Sequence, residues 1–183
     1  MLEDVFILDP LLTACKLAVA GNIMDFGAKA HFNIHETIQH VLHTDFAINH
    51  YDHLQAALDQ ASSLLLFADN AGEIVFDKLL LETMLHAYDL RKITVVIKKL
   101  PILNDATLED ARALGMDQVA NVISSGIVAP GTLLAQCSRD FLELFSGAEL
   151  ILAKGQGNFE GLSLEEGPLF FLLTAKCPVV ARD

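Results

Sequence analysis

Apolar positions Leu11, Leu12, Ala14, Cys15, Ala18 and Val19 recur at helical spacing, which predicts a helix over Leu11 to Ala20 with Gly21 as its cap. A second helical stretch is expected to begin near His35, and a third to cover Asp52 to Gln60. The pattern then changes. Ser63-Leu64-Leu65-Leu66-Phe67-Ala68 is a short continuous apolar run, as expected of a strand covered on both faces in a parallel sheet. Beyond it the alternation predicts a helix over Ala71 to Tyr88, a strand over Ile93 to Ile97, a helix over Thr107 to Leu114 and a strand over Val119 to Ile123. A helix over Ser138 to Phe145 and a strand over Glu149 to Ala153 follow. Leu169 to Leu173 suits either a strand or a buried helix, and Pro178-Val179-Val180 is expected as a last strand. Strands alternating with helices of this length form right-handed βαβ units, so the expected fold is α/β: a doubly wound, mainly parallel sheet in a Rossmann-like α/β/α sandwich, with N-terminal helices. Residues 1–61 are expected to pack on the sheet as a helical segment, and residues 62–183 to form the α/β core, the two making one structural domain.

The composition narrows the function. In 183 residues, 52% hydrophobic, there is ample material for a core, and 12 Lys+Arg against 24 Asp+Glu leave a net charge of −12. Such a field repels phosphate backbones and anionic headgroups, which argues against nucleic-acid and membrane-surface roles. Three widely spaced cysteines, Cys15, Cys137 and Cys177, form neither a disulfide framework nor a Cys-x-x-Cys knuckle and read as thiols in a reducing compartment. Met1 is followed at once by Glu3 and Asp4, without the basic flank of an export signal, so a cytoplasmic location is expected. The longest stretch without acidic or basic residues, Gln118 to Ser138, is broken by Asn121, Ser124, Ser125, Gly126, Pro130 and Gly131, unlike a membrane span.

In an open parallel sheet, the loops at the carboxyl ends of the strands converge on one crevice. The first is Asp69-Asn70-Ala71-Gly72-Glu73, where a carboxylate beside an amide carbonyl makes a hard-cation ligand pair. Asn70 and Glu73 equally suit a helix cap and capping box. The second loop carries Asn104-Asp105, which would add a second carboxylate or head the next helix. The third, Lys154-Gly155-Gln156-Gly157-Asn158-Phe159-Glu160, combines a compact positive charge with glycines that let backbone N–H groups close on an anion, and so suits a phosphate group. It matches neither the P-loop nor the dinucleotide fingerprint. Ser124-Ser125-Gly126 and Ala129-Pro130-Gly131-Thr132 are expected to shape a substrate pocket after the third strand. The seven histidines, His31, His35, His40, His43, His50, His53 and His86, lack a zinc-binding spacing and read as mostly solvated.

Taken in order, Gly21-Asn22-x-x-Asp25, Asp69-Asn70-x-Gly72-Glu73-x-x-Phe76-Asp77, Asn104-Asp105-x-Thr107 and Lys154-Gly155-x-Gly157-Asn158-Phe159-Glu160 resemble the metal-dependent damage-control phosphatase family, first catalogued as domain of unknown function 89. The resemblance runs from about Ala14 to Cys177. It implies a phosphatase for small phosphorylated metabolites, such as sugar phosphates and phosphopantetheine-like compounds. It further implies that Asp69, Asn70 and Asp105 hold a divalent metal (magnesium, manganese, cobalt or nickel) and that Asp69, Asp105 and Lys154 carry the catalysis. Lys154 with Gly155, Gly157 and Asn158 would hold the phosphate, and Asn22, Asp25, Glu73 and Ser125 would line the same cavity. Against the family pattern the chain is expected to lack a longer N-terminal helical segment with a Cys-x-x-Cys pair and one or two C-terminal strands. Those open edges favour self-association into a homo-oligomer and frame the alternative, a catalytically idle metabolite-binding or assembly module. The first loop lacks the glycines of a nucleoside-cofactor methyltransferase and the Asp-x-Asp of an aspartyl-phosphate enzyme.

Overall fold

The computed structural model of the chain describes residues 9–24, 34–98, 104–126 and 131–182. Three helices come first: α1 (Pro10–Met24), α2 (Ile34–His43) and α3 (Tyr51–Leu58). There follow β1 (Ser63–Phe67), α4 (Ile74–Ala87), β2 (Lys92–Ile97), α5 (Leu108–Ala113), β3 (Asn121–Ser124), α6 (Arg139–Ser146), β4 (Ile151–Lys154), α7 (Gln156–Leu162) and β5 (Leu169–Leu172). The strands form one sheet in the order β3-β2-β1-β4-β5, every pair parallel, which is the doubly wound α/β fold expected from the pattern.

Period-two alternation divides the apolar strand residues between two cores. Leu64, Leu66, Ile93, Val95, Ile97, Leu150 and Leu152 face one layer, where they meet Leu80, Leu81 and Met84 of α4. The α1 residues Leu11, Ala14, Cys15, Ala18 and Val19 join the same cluster, so the N-terminal helix shares the core of the sheet. On the other face Leu65, Phe67, Val96, Ile151 and Ala153 meet Phe141 and Phe145 of α6 and Leu162 of α7. Phe67 stands edge-on to Phe141 and Phe145, with ring centroids 5.9 and 6.1 Å away. Phe67→Ala should therefore cost about 3–5 kcal/mol, read as a lower urea midpoint at unchanged slope.

Several elements differ from the sequence expectation for identifiable reasons. The first helix does not stop at Gly21. A methyl group there would lie 3.1 Å from Glu73 Cγ and 3.2 Å from the Phe76 ring, so the glycine serves the close approach of α1 to α4. The third strand starts at Asn121 because Met116–Gln118 form a 3-10 turn entered through Gly115 at φ 63°. Residues 178–182 form turns instead of a last strand, closed by Ala181 N–H to Cys177 O and Arg182 N–H to Val179 O. Leu169–Leu172 is a strand, and part of the third loop is the helix α7. His35, His40, His43, His50, His53 and His86 are exposed, as expected, and His31 lies outside the described residues. Among the described residues no helix is long and apolar enough to cross a membrane.

Candidate active site

The strand order reverses between β1 and β4, which puts the ligand crevice at their carboxyl ends. Register then decides which residues meet there. Phe67 pairs with Val96 on one side and Ala153 on the other, and Val96 pairs with Ile123. Two residues further on, Asp69, Lys98, Ser125 and Gly155 leave the sheet in one row. The ladder supports the first step of that extension: Ala68 N–H donates to Val96 O at 3.0 Å, and Ser125 N–H to Ile97 O at 2.9 Å.

The second loop is pinned against the first. Asn70 and Asp105 form an antiparallel bridge. Ala71 N–H donates to Asn104 O at 2.8 Å and Ala106 N–H to Asp69 O at 2.7 Å. These bonds flank the bridge, which makes Asn70 and Asp105 a non-hydrogen-bonded pair, whose side chains share a face with Cα atoms about 4.5 Å apart. The capping role is taken elsewhere. Thr107 heads α5 in a capping box with Asp110, and α4 begins at Glu73 with no side-chain cap. Asn70 Nδ2 instead donates to Glu73 Oε1 at 2.5 Å, which turns the amide oxygen away from Glu73.

Next to these loops lies a buried charge cluster. Lys154 Nζ is 2.9 Å from both Glu73 Oε2 and Asp77 Oδ1, and all three side chains are fully buried. Asp77 Oδ2 has no hydrogen bond among the described residues. Burial, with the Glu73 charge, outweighs the pull of Lys154 and raises the Asp77 carboxyl to about 6. For Lys154 burial works downward, and attraction to Asp77 and Glu73 overcomes it, so the ammonium is held charged. Asp69 is raised to about 7, by burial first and then by the charges of Glu73 and Asp105, with Lys154 and Lys176 opposing.

Glycines bring the remaining walls close. Gly155 has φ 78°, and a methyl group on it would collide with the Asp69 carboxylate. Gly131, at φ 71°, leaves no room between itself and the Gly157 carbonyl. Gly155→Ala should therefore displace Asp69 and cut metal affinity about 10–100-fold, the scale of a disturbed ligand support, measurable by calorimetric titration with manganese.

The expected site residues divide in consequence. Asp69, Asn70, Asp105 and Gly155 come together at the crevice. Glu73 and Lys154, expected to meet substrate and phosphate, are fully buried and engaged by each other. Asn158, expected to bind phosphate, is a buried clamp. Its Nδ2 donates to Lys154 O at 2.8 Å and Ala68 O at 3.3 Å, and its Oδ1 accepts from Thr132 Oγ1 at 2.9 Å. The Gly155 N–H is likewise spent on Leu172 O, 3.1 Å away. Gly157 is half-buried in the first turn of α7, and Ser125 is buried in the row described above. Asp25 and the side chain of Asn22 lie outside the described residues. Sequence reasoning gave no role to Lys98, or to Asp77, which it quoted only as part of a motif. A lysine directly after an apolar strand was the signal for the first, and an acid one helical turn beyond Glu73 for the second.

Comparison with known proteins follows the same lines. The family model of the damage-control phosphatase ARMT1-like domain matches residues 7–183. The chain belongs to this family. A damage-control phosphatase of Pyrococcus horikoshii is 38% identical over 172 residues, covering 93% of this chain and 60% of that protein. A damage-control phosphatase of Archaeoglobus fulgidus is 34% identical over 183 residues, with 96% and 62% covered. An uncharacterised protein of Methanocaldococcus jannaschii is 41% identical over 172 residues, with 90% and 56% covered. The crystal structure of a Pyrococcus horikoshii protein of the domain-of-unknown-function-89 family superposes with a TM-score of 0.87 at 38% identity, covering 94% of this chain and 61% of that one. The chain thus spans about three fifths of the length of these damage-control phosphatase relatives.

The donor set fits a hard divalent cation. Among the described residues no three His, Cys, Asp or Glu side chains gather as a metal set, so the candidate is two carboxylates and the Asn70 amide oxygen. The Asp69 carboxyl is raised by burial first and then by the charges of Glu73 and Asp105, a repulsion that a divalent ion would relieve.

Proposed function

We propose that the chain is a divalent-metal-dependent phosphatase that hydrolyses small phosphorylated metabolites, sugar phosphates or phosphopantetheine-like compounds. The observation that carries the reading is the Asn70–Asp105 bridge, which brings two carboxylates and an amide from separate loops to the strand-order reversal. Asp69, Asn70 and Asp105 hold the ion, which when bound lowers the pKa of water and offsets charge on the phosphoryl group. The chain's own part is positional and protonic. One carboxylate of the pair accepts the proton of the attacking water as the new P–O bond forms and the ester P–O bond breaks. The same carboxylate returns that proton to the leaving alcohol oxygen, and inorganic phosphate remains. Glu73 orients the Asn70 amide through the 2.5 Å hydrogen bond, and Lys154 holds Glu73 in place.

Metal should stabilise the folded chain by mass action, by about 2.7 kcal/mol at one hundred times its dissociation constant. The test scans melting temperature and release of phosphate from an aryl phosphate with magnesium, manganese, cobalt and nickel. A metal-induced rise together with metal-dependent turnover supports the reading. No turnover with any of the four overturns it, and metabolite binding without turnover would favour a binding module.

A further inference from the structure

The crevice holds a second lysine that the arrangement so far leaves without a task. Lys98 follows β2 and stands in the same row as Asp69 and Gly155. Its backbone N–H reaches Ala106 O at 3.4 Å, next to Asp105, and Ala106 N–H in turn donates to Asp69 O. The residue is only 4% exposed. Yet among the described residues Lys98 forms no ion pair, and its Nζ donates to the carbonyl of Gly131, the residue that abuts Gly157. A buried ammonium held by a neutral carbonyl is under-compensated, whereas Lys154 is compensated twice over. Burial lowers the Lys98 pKa, while Asp105 and then Asp69 pull it back, so both candidate metal carboxylates act on this lysine.

Charge balance supplies the task. Asp69 and Asp105 together cancel a divalent ion. A phosphomonoester arrives with about two negative charges and would meet an uncompensated site. Freeing Lys154 would strand Glu73 and Asp77 in the interior. Lys98 needs only to exchange one carbonyl for phosphoryl oxygens.

We propose that Lys98 is the ammonium that receives the phosphoryl group at this site, with the Gly131 carbonyl as its resting acceptor. The inference rests on the phosphatase reading and assigns the phosphate contact within it. It is tested with inorganic phosphate as probe, by calorimetry in saturating manganese, on the wild-type chain, Lys98→Gln and Lys98→Met. Glutamine keeps a donor for Gly131 and removes only the charge. A charge-assisted hydrogen bond is worth about 1.5–3 kcal/mol, so both variants should bind phosphate about 10–150-fold more weakly. Manganese affinity without phosphate should not fall in either variant, since removing a cation beside Asp69 and Asp105 favours the ion. Phosphate affinity equal to wild type in Lys98→Gln overturns the proposal, while metal-dependent turnover by the wild type leaves the phosphatase reading standing. A wild-type chain that neither binds phosphate nor turns over overturns both. Should neither variant fold, the wild-type chain decides: phosphate must slow acylation of Lys98 by an acid anhydride, read by peptide mass, and unchanged acylation overturns the assignment.

Discussion

Asp105→Ala is expected to lower metal-dependent phosphate release about a thousandfold or more, because losing one ligand of a small oxygen set removes several kcal/mol of transition-state stabilisation. The loss should be chemical and not a consequence of unfolding. What positions Asp105 is main-chain hydrogen bonding, Ala71 N–H to Asn104 O and Ala106 N–H to Asp69 O, and alanine keeps both bonds. The cap of α5 belongs to Thr107 and is untouched as well. The Asp105 charge is one of the causes that raise Asp69, so its removal relieves repulsion in the metal-free chain. The variant should therefore keep its fold without metal and should lose the upward shift on adding manganese. Asp69→Ala should behave alike. Wild-type turnover on an aryl phosphate in both variants would remove the metal assignment.

The second large effect is on stability. Lys154→Met leaves Glu73 and Asp77 fully buried with no cation, and breaking a buried pair in this way costs about 3–5 kcal/mol. The deficit should depend on pH. Asp77 already titrates near 6, above the 3.8 of an ordinary aspartate, so the folded chain binds its proton more tightly than the unfolded chain does. Stability from this group is greatest below the unfolded value and declines as pH rises through the folded one. Without Lys154 the folded value climbs further, and the penalty extends over a wider interval. Urea midpoints should show a smaller deficit for Lys154→Met at pH 5 than at pH 8. Combining it with Glu73→Gln and Asp77→Asn should recover part of the loss, since a neutral cluster leaves no stranded charge. An equal deficit at both pH values would show that lost packing, not charge, sets the effect.

The contrast between these two variants shows what the sequence could and could not convey. The Asp69-Asn70 loop was legible because an unbroken apolar run as short as Leu64 to Ala68 suits a strand covered on both faces, and polar residues straight after a strand stand at the sheet edge. Asp105 followed from the same logic on the next strand. Depth was not legible. A lysine beside glycines at a strand end reads as a cation open to a phosphate group. Lys154 is buried because β4 is flanked by β1 and β5 and because α4 brings Glu73 and Asp77 to it from 81 and 77 residues away, a pairing no local pattern encodes. Glycine misled twice in the same manner. Gly21 resembled a stop and Gly155-Gln156-Gly157 a loop, yet Gly21 lies within a helix against Glu73 and Phe76, and Gly157 and Gly161 lie within another, where the Thr132 carbonyl leaves no room for a side chain at Gly161.

The seam at Gly21 ties the beginning of the chain to its chemistry. The α1 backbone rests on Glu73, and the Glu73 carboxylate accepts from both Asn70 and Lys154. From Leu11 to Gly21 the helix is buried or half-buried on every side, and a side chain at Gly21 would press on Glu73, the residue that fixes the Asn70 amide. A piece trimmed to begin at β1 would lose the buttress under the Asn70 amide, so on the proposed reading the N-terminal helix supports the site and is not a detachable cover.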